Sequence, residues 1–493
     1  MFGKLYGVIS RNKYYALFYI ICSFFAFIIQ HGGRGIGSKK ILLVSCVLTA
    51  LVYFFYKGKK YISIFLAIST LGITLSVITP VLDTPDEQVH LSRAMNIARG
   101  NINLDNQEEH LLISQDYFEI YKNFKKPLNQ IDLFTKKSSE KLVSFNGETD
   151  FRQTNAYWFI GYIPQALGLV IGKIFHLNLG LMFYLGRALN VLAYALLAVI
   201  AIKLSGKYKQ LMLLIAMLPM NLFLAASYNQ DGVSLGIIYL LIGLFIHYLN
   251  REKKIGYADV GLFTILLMVT ATTKLPYILL GLLLLFIPRS RWKSKGVQYS
   301  SIGAVLSIFI VAILWFSLYQ QIHPIHLRTG VQISVTEQIR FILSNPIKGF
   351  GAVLIEMALS PFKSAMLFNF GWLDLIFDKL YVLYIVLITV SILSNLEKTD
   401  FSKRMLWGLG IVSLLIVGII SLSLYLTWTA VGLGIVEGVQ GRYYLGVYLL
   451  WTILFSSFPN TYGLKNKLSD EFLFKMNVLG LSMFIFLMLG TFY

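Results

Sequence analysis

Residues 61–79 read YISIFLAISTLGITLSVIT, and residues 80–90 continue PVLDTPDEQVH. The first string holds no charged residue and is close to the roughly 20 residues that cross a bilayer. Backbone groups in hydrocarbon must pair within their own segment, so such a run is a helix. A membrane strand would alternate apolar and polar residues, and this run does not. The second string places Asp83, Asp86 and Glu87 just beyond the apolar run. The junction therefore reads as a membrane helix delivering an acidic motif to the bilayer surface.

The pattern recurs along all 493 residues, which are 56% hydrophobic and 14% charged; a soluble domain carries about 25% charge. The expected fold is an all-α polytopic membrane protein with about thirteen spanning helices: 14–30, 41–56, 61–79, 182–202, 211–226, 233–249, 260–273, 275–287, 301–318, 380–393, 405–426, 443–455 and 476–489. The run 14–30 has basic flanks and no small-residue cleavage site, so it reads as a first membrane helix. Cys22 and Cys46, the two cysteines, fall in apolar runs and suggest no disulfide framework, and no Cys/His spacing suits zinc.

The net charge of +19 comes from short basic clusters between apolar runs, which is the positive-inside pattern. This favours membrane lipids, anionic headgroups included, as partners, and not nucleic acid. Clusters at Lys57–Lys60, Lys203–Lys209, Arg251–Lys254, Arg289–Lys295, Lys398–Arg404 and Lys465–Lys467 all fall inside if the apolar segments 157–175 and 346–370 do not cross. Those two are expected to lie along or dip into the outer interface. The loop bearing Arg34, Lys39 and Lys40 breaks the pattern, leaving the first hairpin's orientation open. The chain then divides into three N-terminal membrane helices (1–80), a large extracytoplasmic loop with interfacial helices (81–180), a central bundle (181–318), a second extracytoplasmic segment with an interfacial or re-entrant helix (319–379) and C-terminal membrane helices (380–493).

The large loop opens on a helix start. Thr84 suits the N-cap, Pro85 the first turn and Glu87 the N3 position of a capping box. Gly100 suits the C′ position of a helix over 85–99. Acids favour a first helical turn for structural reasons alone, but Asp86, His90 and Arg93 also share one face by spacing. Other ionisable residues gather at outer helix ends: Asp231, Lys274, Arg187, Asp374, Glu437 and Arg442. Ionisable groups at membrane depth tend to mark function; Arg187 and Glu437 read as anchors or paired structural ions. Arg442 is flanked by Gly441, which lets a backbone approach closely, and a guanidinium forks onto phosphate oxygens.

The residues Pro85-Asp86-Glu87-x-x-His90 with Arg93-Ala94, Gly186-Arg187-x-x-Asn190, Pro219-Met220, Ser227-x-x-x-Asp231, Lys274-x-Pro276-Tyr277, Gly371-Trp372-x-Asp374 and Gly441-Arg442-Tyr443 together resemble a bacterial polytopic membrane family of formally unknown function, grouped with the GT-C glycosyltransferases. Gln88 stands where that family usually has a second proline, and three helices precede the motif where one is usual. The resemblance implies a GT-C-like fold in a bacterial plasma membrane with an extracytoplasmic active site. It implies a glycosyltransferase that takes sugar from a polyprenyl-phosphate donor to an envelope glycan or teichoic acid acceptor.

Carried onto this chain, Asp86 or Glu87 is the general base. We expect Asp86 to be the base, with Glu87 orienting the acceptor and His90 bracing. Arg442 and Lys274 are expected to stabilise the phosphate leaving group, with Asp231, Asp374, Arg93 and Tyr443 in the binding set. No metal ligand set is assigned, although Asp231 leaves a divalent ion open. No GxGxxG or P-loop fingerprint occurs, which favours a lipid donor over a sugar nucleotide. The alternatives are a transporter or flippase of lipid-linked glycan, or a polysaccharide polymerase.

Overall fold

The computed structural model describes residues 13–33, 35–102, 112–139, 141–144, 154, 157–314, 332–363, 367–394, 401–457 and 468–493. Arg34, Lys398, Lys465, Lys467, the end of the expected span 301–318 beyond Leu314 and the start of the 319–379 segment lie outside these residues.

The described chain is all-α apart from two antiparallel two-stranded ribbons. Seven described helices are long and apolar enough to cross a membrane: Lys13–His31, Tyr61–Ile78, Leu179–Leu204, Asp231–Asn250, Lys295–Leu314, Lys403–Thr427 and Asp470–Phe492. The number reaches nine if two bent pairs each count as one span: Gly206–Ala216 with Pro219–Ala225, bent by 69°, and Val335–Ser344 with Pro346–Phe362, bent by 110°. The chain is thus a multi-pass membrane protein with seven to nine such elements among the described residues.

Several of the other expected spans are short or broken for local reasons. The run 211–226 is cut at Pro219, which opens a new short helix, since proline lacks the N–H that would continue the first. Pro276 opens the run after Lys274, and Leu275–Phe286 is a 3₁₀ helix and not an α-helix. The helices Lys39–Phe55, Tyr257–Thr273 and Asp378–Ser394 have 17 residues each, and Leu445–Ser456 has 12. In the segment expected at 346–370, the described residues form the helix Pro346–Leu359 and the 3₁₀ turn Ser360–Phe362, and Asn369–Phe370 pairs with Leu375–Ile376 as a ribbon.

The Asp231–Asn250 helix is enclosed along nearly its whole length. It packs on Leu179–Leu204, which in turn receives Tyr61–Ile78 and the short helix Ile163–Ile174. The last contact is close because two glycines meet: a Cβ on Gly168 would stand 2.5 Å from the Gly186 Cα. Asp470–Phe492 packs along Lys13–His31, so the two ends of the chain adjoin. Within the loop region, Leu112–Ser114 pairs with Leu142–Ser144, and a second core of Val81, Leu82, Leu91, Ile120, Phe183 and their neighbours seats the motif helix.

Candidate functional site

The motif helix runs Glu87–Ala98, two residues shorter at its start than expected. Asp86, not Thr84, is the N-cap, and it stands in the left-handed region at φ 61° with no side-chain cap bond. Aspartate tolerates that region better than most residues. The C-terminus follows expectation: Gly100 has φ 93°, and the bonds Asn101 N to Asn96 O and Gly100 N to Ile97 O form a Schellman closure.

The capping box fails because Glu87 is engaged elsewhere. Its carboxylate accepts from Arg187 Nε at 2.8 Å and Nη2 at 2.7 Å, and from the Tyr228 backbone N–H at 3.0 Å. Both side chains are completely buried. Arg187 also donates to the carbonyls of Ser76, Thr79 and Pro80 at 2.9 Å each. These lie at the C-terminal end of the Tyr61–Ile78 helix, where carbonyls lack intrahelical partners and a cation opposes the helix dipole. Arg187 is therefore a paired structural ion that fixes the membrane exit. Glu87 holds the other side of that joint and has no surface for the acceptor-orienting role expected of it.

The turn at 227–231 is stitched to the same joint. Asn190 Nδ2 donates to Ser227 O and Asn229 O, and Asn229 Oδ1 accepts from the Asp231 backbone. This places Asp231 in an ion pair with Lys274, Nζ to Oδ1, at 2.6 Å with both side chains buried. The 441–446 segment is held by Tyr277, whose hydroxyl donates to Tyr443 O at 2.7 Å and accepts from Gly446 N–H at 3.1 Å. Arg442 Nη2 then meets Asp86 Oδ2 at 3.0 Å, across 356 positions of sequence. The Asp86 side chain is 48% exposed and that of Arg442 only 7%. Nε and Nη1 of Arg442 are buried with no hydrogen-bond partner among the described residues. The Tyr443 ring lies 5.5 Å from the Arg442 guanidinium and 5.8 Å from Lys274 Nζ.

His90 sits one turn into the motif helix, 5% exposed, with Nδ1 2.8 Å from the Tyr162 hydroxyl. Burial pushes its imidazole down to about 4, and Asp86 only partly opposes this. Asp86, Arg442, Asp231, Lys274 and His90 thus form one electrostatic cluster. The exposed Asp86 carboxylate, a buried guanidinium with open donors and a neutral imidazole suit proton abstraction beside an anion.

Two expected members lie apart. Arg93 is fully buried and donates to Ile102 O at 2.5 Å; the left-handed residue at Asp86 takes that acid out of helical register with it. Asp374 is exposed at the rim, 2.8 Å from Lys125. It belongs to a joint in which Trp372 Nε1 donates to Leu82 O at 2.9 Å and Lys125 also lies 3.9 Å from Asp83. Sequence reasoning placed Asp83 in the acidic motif but gave it no role; burial pushes its carboxyl up to about 7, with Lys125 opposing. That reasoning missed Tyr157 and Tyr162 beside His90; their place in the returning limb of the loop carried no spacing signal.

Among the described residues no three His, Cys, Asp or Glu side chains gather as metal ligands. Asp231, the acid offered for a divalent ion, is neutralised by Lys274. This donor set does not fit a metal.

Comparison with curated proteins and with solved structures returns no match. A family model described as "Predicted membrane protein (DUF2142)" matches residues 69–451, from the helix before the acidic motif to the one after Arg442. This chain belongs to the DUF2142 family of membrane proteins.

Proposed function

We propose that the protein is a GT-C-type glycosyltransferase of the bacterial plasma membrane. It transfers a sugar from a polyprenyl-phosphate-linked donor to an envelope glycan or teichoic-acid-type acceptor on the outer face. On this reading the shorter apolar helices complete a GT-C-like set of about thirteen crossings.

The observation that carries the reading is the meeting of Asp86 with Arg442, a buried guanidinium with two nitrogens still open for an acceptor. A phosphate oxygen satisfies those donors and competes with Asp86 for the third. Asp86, released and half-exposed, takes the proton of an acceptor hydroxyl as that oxygen attacks the anomeric carbon. The bond from the anomeric carbon to the phosphate oxygen breaks, and the charge left on the lipid phosphate rests on Arg442. Lys274, held by Asp231, adds field from below without touching the donor.

The test is reconstitution in proteoliposomes holding a polyprenyl-phosphate sugar, together with mass analysis of envelope glycan from a deletion strain. The expected result is transfer in the vesicles and loss of one sugar in the strain. Asp86→Asn should lower transfer by about 10²–10⁴-fold with an unchanged melting temperature. Glu87→Gln should instead destabilise the fold by about 3–5 kcal/mol, since it strands the buried Arg187. Full transfer by Asp86→Asn, or an unaltered glycan, overturns the reading.

A flippase is the second reading, favoured by the 69° break between Gly206–Ala216 and Pro219–Ala225, because broken helices line transport sites. In the same vesicles it would move lipid-linked glycan across the bilayer with no new glycosidic bond.

A further inference from the structure

We propose that Tyr162 is a positioning residue: its hydroxyl donates to His90 Nδ1, fixing His90 as the tautomer that carries its proton on Nε2 and presents an N–H donor to the Asp86–Arg442 site. The two atoms are 2.8 Å apart, with Tyr162 fully buried and His90 nearly so. An imidazole nitrogen accepts well and a phenol oxygen poorly, so the O–H→N arrangement is the stronger. It also fits the neighbourhood. The Arg93 cation favours negative charge on the Tyr162 oxygen, which strengthens the phenolic O–H as a donor to His90. A neutral imidazole whose Nδ1 accepts must hold its proton on Nε2.

Nδ1 is the ring nitrogen that Tyr162 engages, which leaves Nε2 for a ligand. The groups acting on the ring are Asp86 on its own helix, Asp231 and Lys274 from the central helices, Arg442 from the C-terminal segment, and Tyr157 and Tyr162 from the returning loop. A donor there orients a substrate oxygen and is unsuited to taking a proton, which leaves base work to Asp86. This assignment of role rests on the glycosyl-transfer reading; the tautomer does not.

The test is nitrogen-15 histidine NMR of the full chain in nanodiscs between pH 5 and 8, with the His90 signal identified by its loss in His90→Gln. The expected wild-type signals are a protonated Nε2 and a hydrogen-bonded, unprotonated Nδ1. In Tyr162→Phe the two tautomers should mix, and transfer should fall about tenfold in kcat with little change in acceptor KM. A protonated Nδ1 in the wild type, or the same tautomer in Tyr162→Phe, overturns the proposal. Absence of transfer in every variant with the expected tautomers would instead count against glycosyl transfer alone.

Discussion

Two adjacent acids, Asp86 and Glu87, have opposite fates. One is half-exposed against Arg442; the other is sealed against Arg187. Their carboxylates are chemically alike; the left-handed turn at Asp86 parts them by sending successive side chains in different directions. Asp83, three residues earlier, is buried at the joint with Lys125 and Asp374, and its carboxyl rises from 3.8 to about 7. Between those values the folded state keeps a proton that the unfolded chain has lost. Asp83 therefore contributes stability that is complete below about pH 4 and is lost as pH rises through about 7. His90 runs the other way: its contribution is complete above 6.5 and is lost as pH falls through about 4. Melting temperature measured against pH in detergent should thus fall more steeply from pH 4 to 7 in the wild type than in Asp83→Asn. Parallel curves would remove Asp83 from the joint.

At the level of helices, hydropathy reported where apolar chain occurs but not how it is cut. The Leu275–Phe286 run is apolar enough for either helix type, and its near-continuous apolar sequence LPYILLGLLLLF shows no periodicity that would announce 3₁₀ winding. The sequence reading parts the spans 260–273 and 275–287 at Lys274 but runs 211–226 through Pro219, where the helices bend by 69°; that angle depends on what packs around it. The joint between Ile163–Ile174 and Leu179–Leu204 is more exacting. Gly168→Ala places a methyl 2.5 Å from the Gly186 backbone, which cannot rotate aside. The helices must separate, and destabilisation of about 1–3 kcal/mol is expected, read as a lower melting temperature in the same detergent. An unshifted transition would show that the helices do not approach so closely.

For the whole molecule, the charge pattern predicts sidedness. With Cys22 and Cys46 replaced, Lys59→Cys and Lys253→Cys should react with a membrane-impermeant maleimide from one face of sealed vesicles, and Asp374→Cys from the other. All three positions are exposed. Labelling of Asp374→Cys and Lys59→Cys from the same face would overturn the threading and place the Asp86 joint among the basic clusters.

Membership of a membrane class and the long apolar helices were readable from residues alone, because in hydrocarbon a segment's own composition decides whether it can remain there. The choice of ion partners was not. Arg442 with Asp86, Arg187 with Glu87, Lys274 with Asp231 and Lys125 with Asp374 each join distant parts of the chain. Any of these cations attracts any of these acids, and only the packing of the helices that carry them determines which charges come within reach.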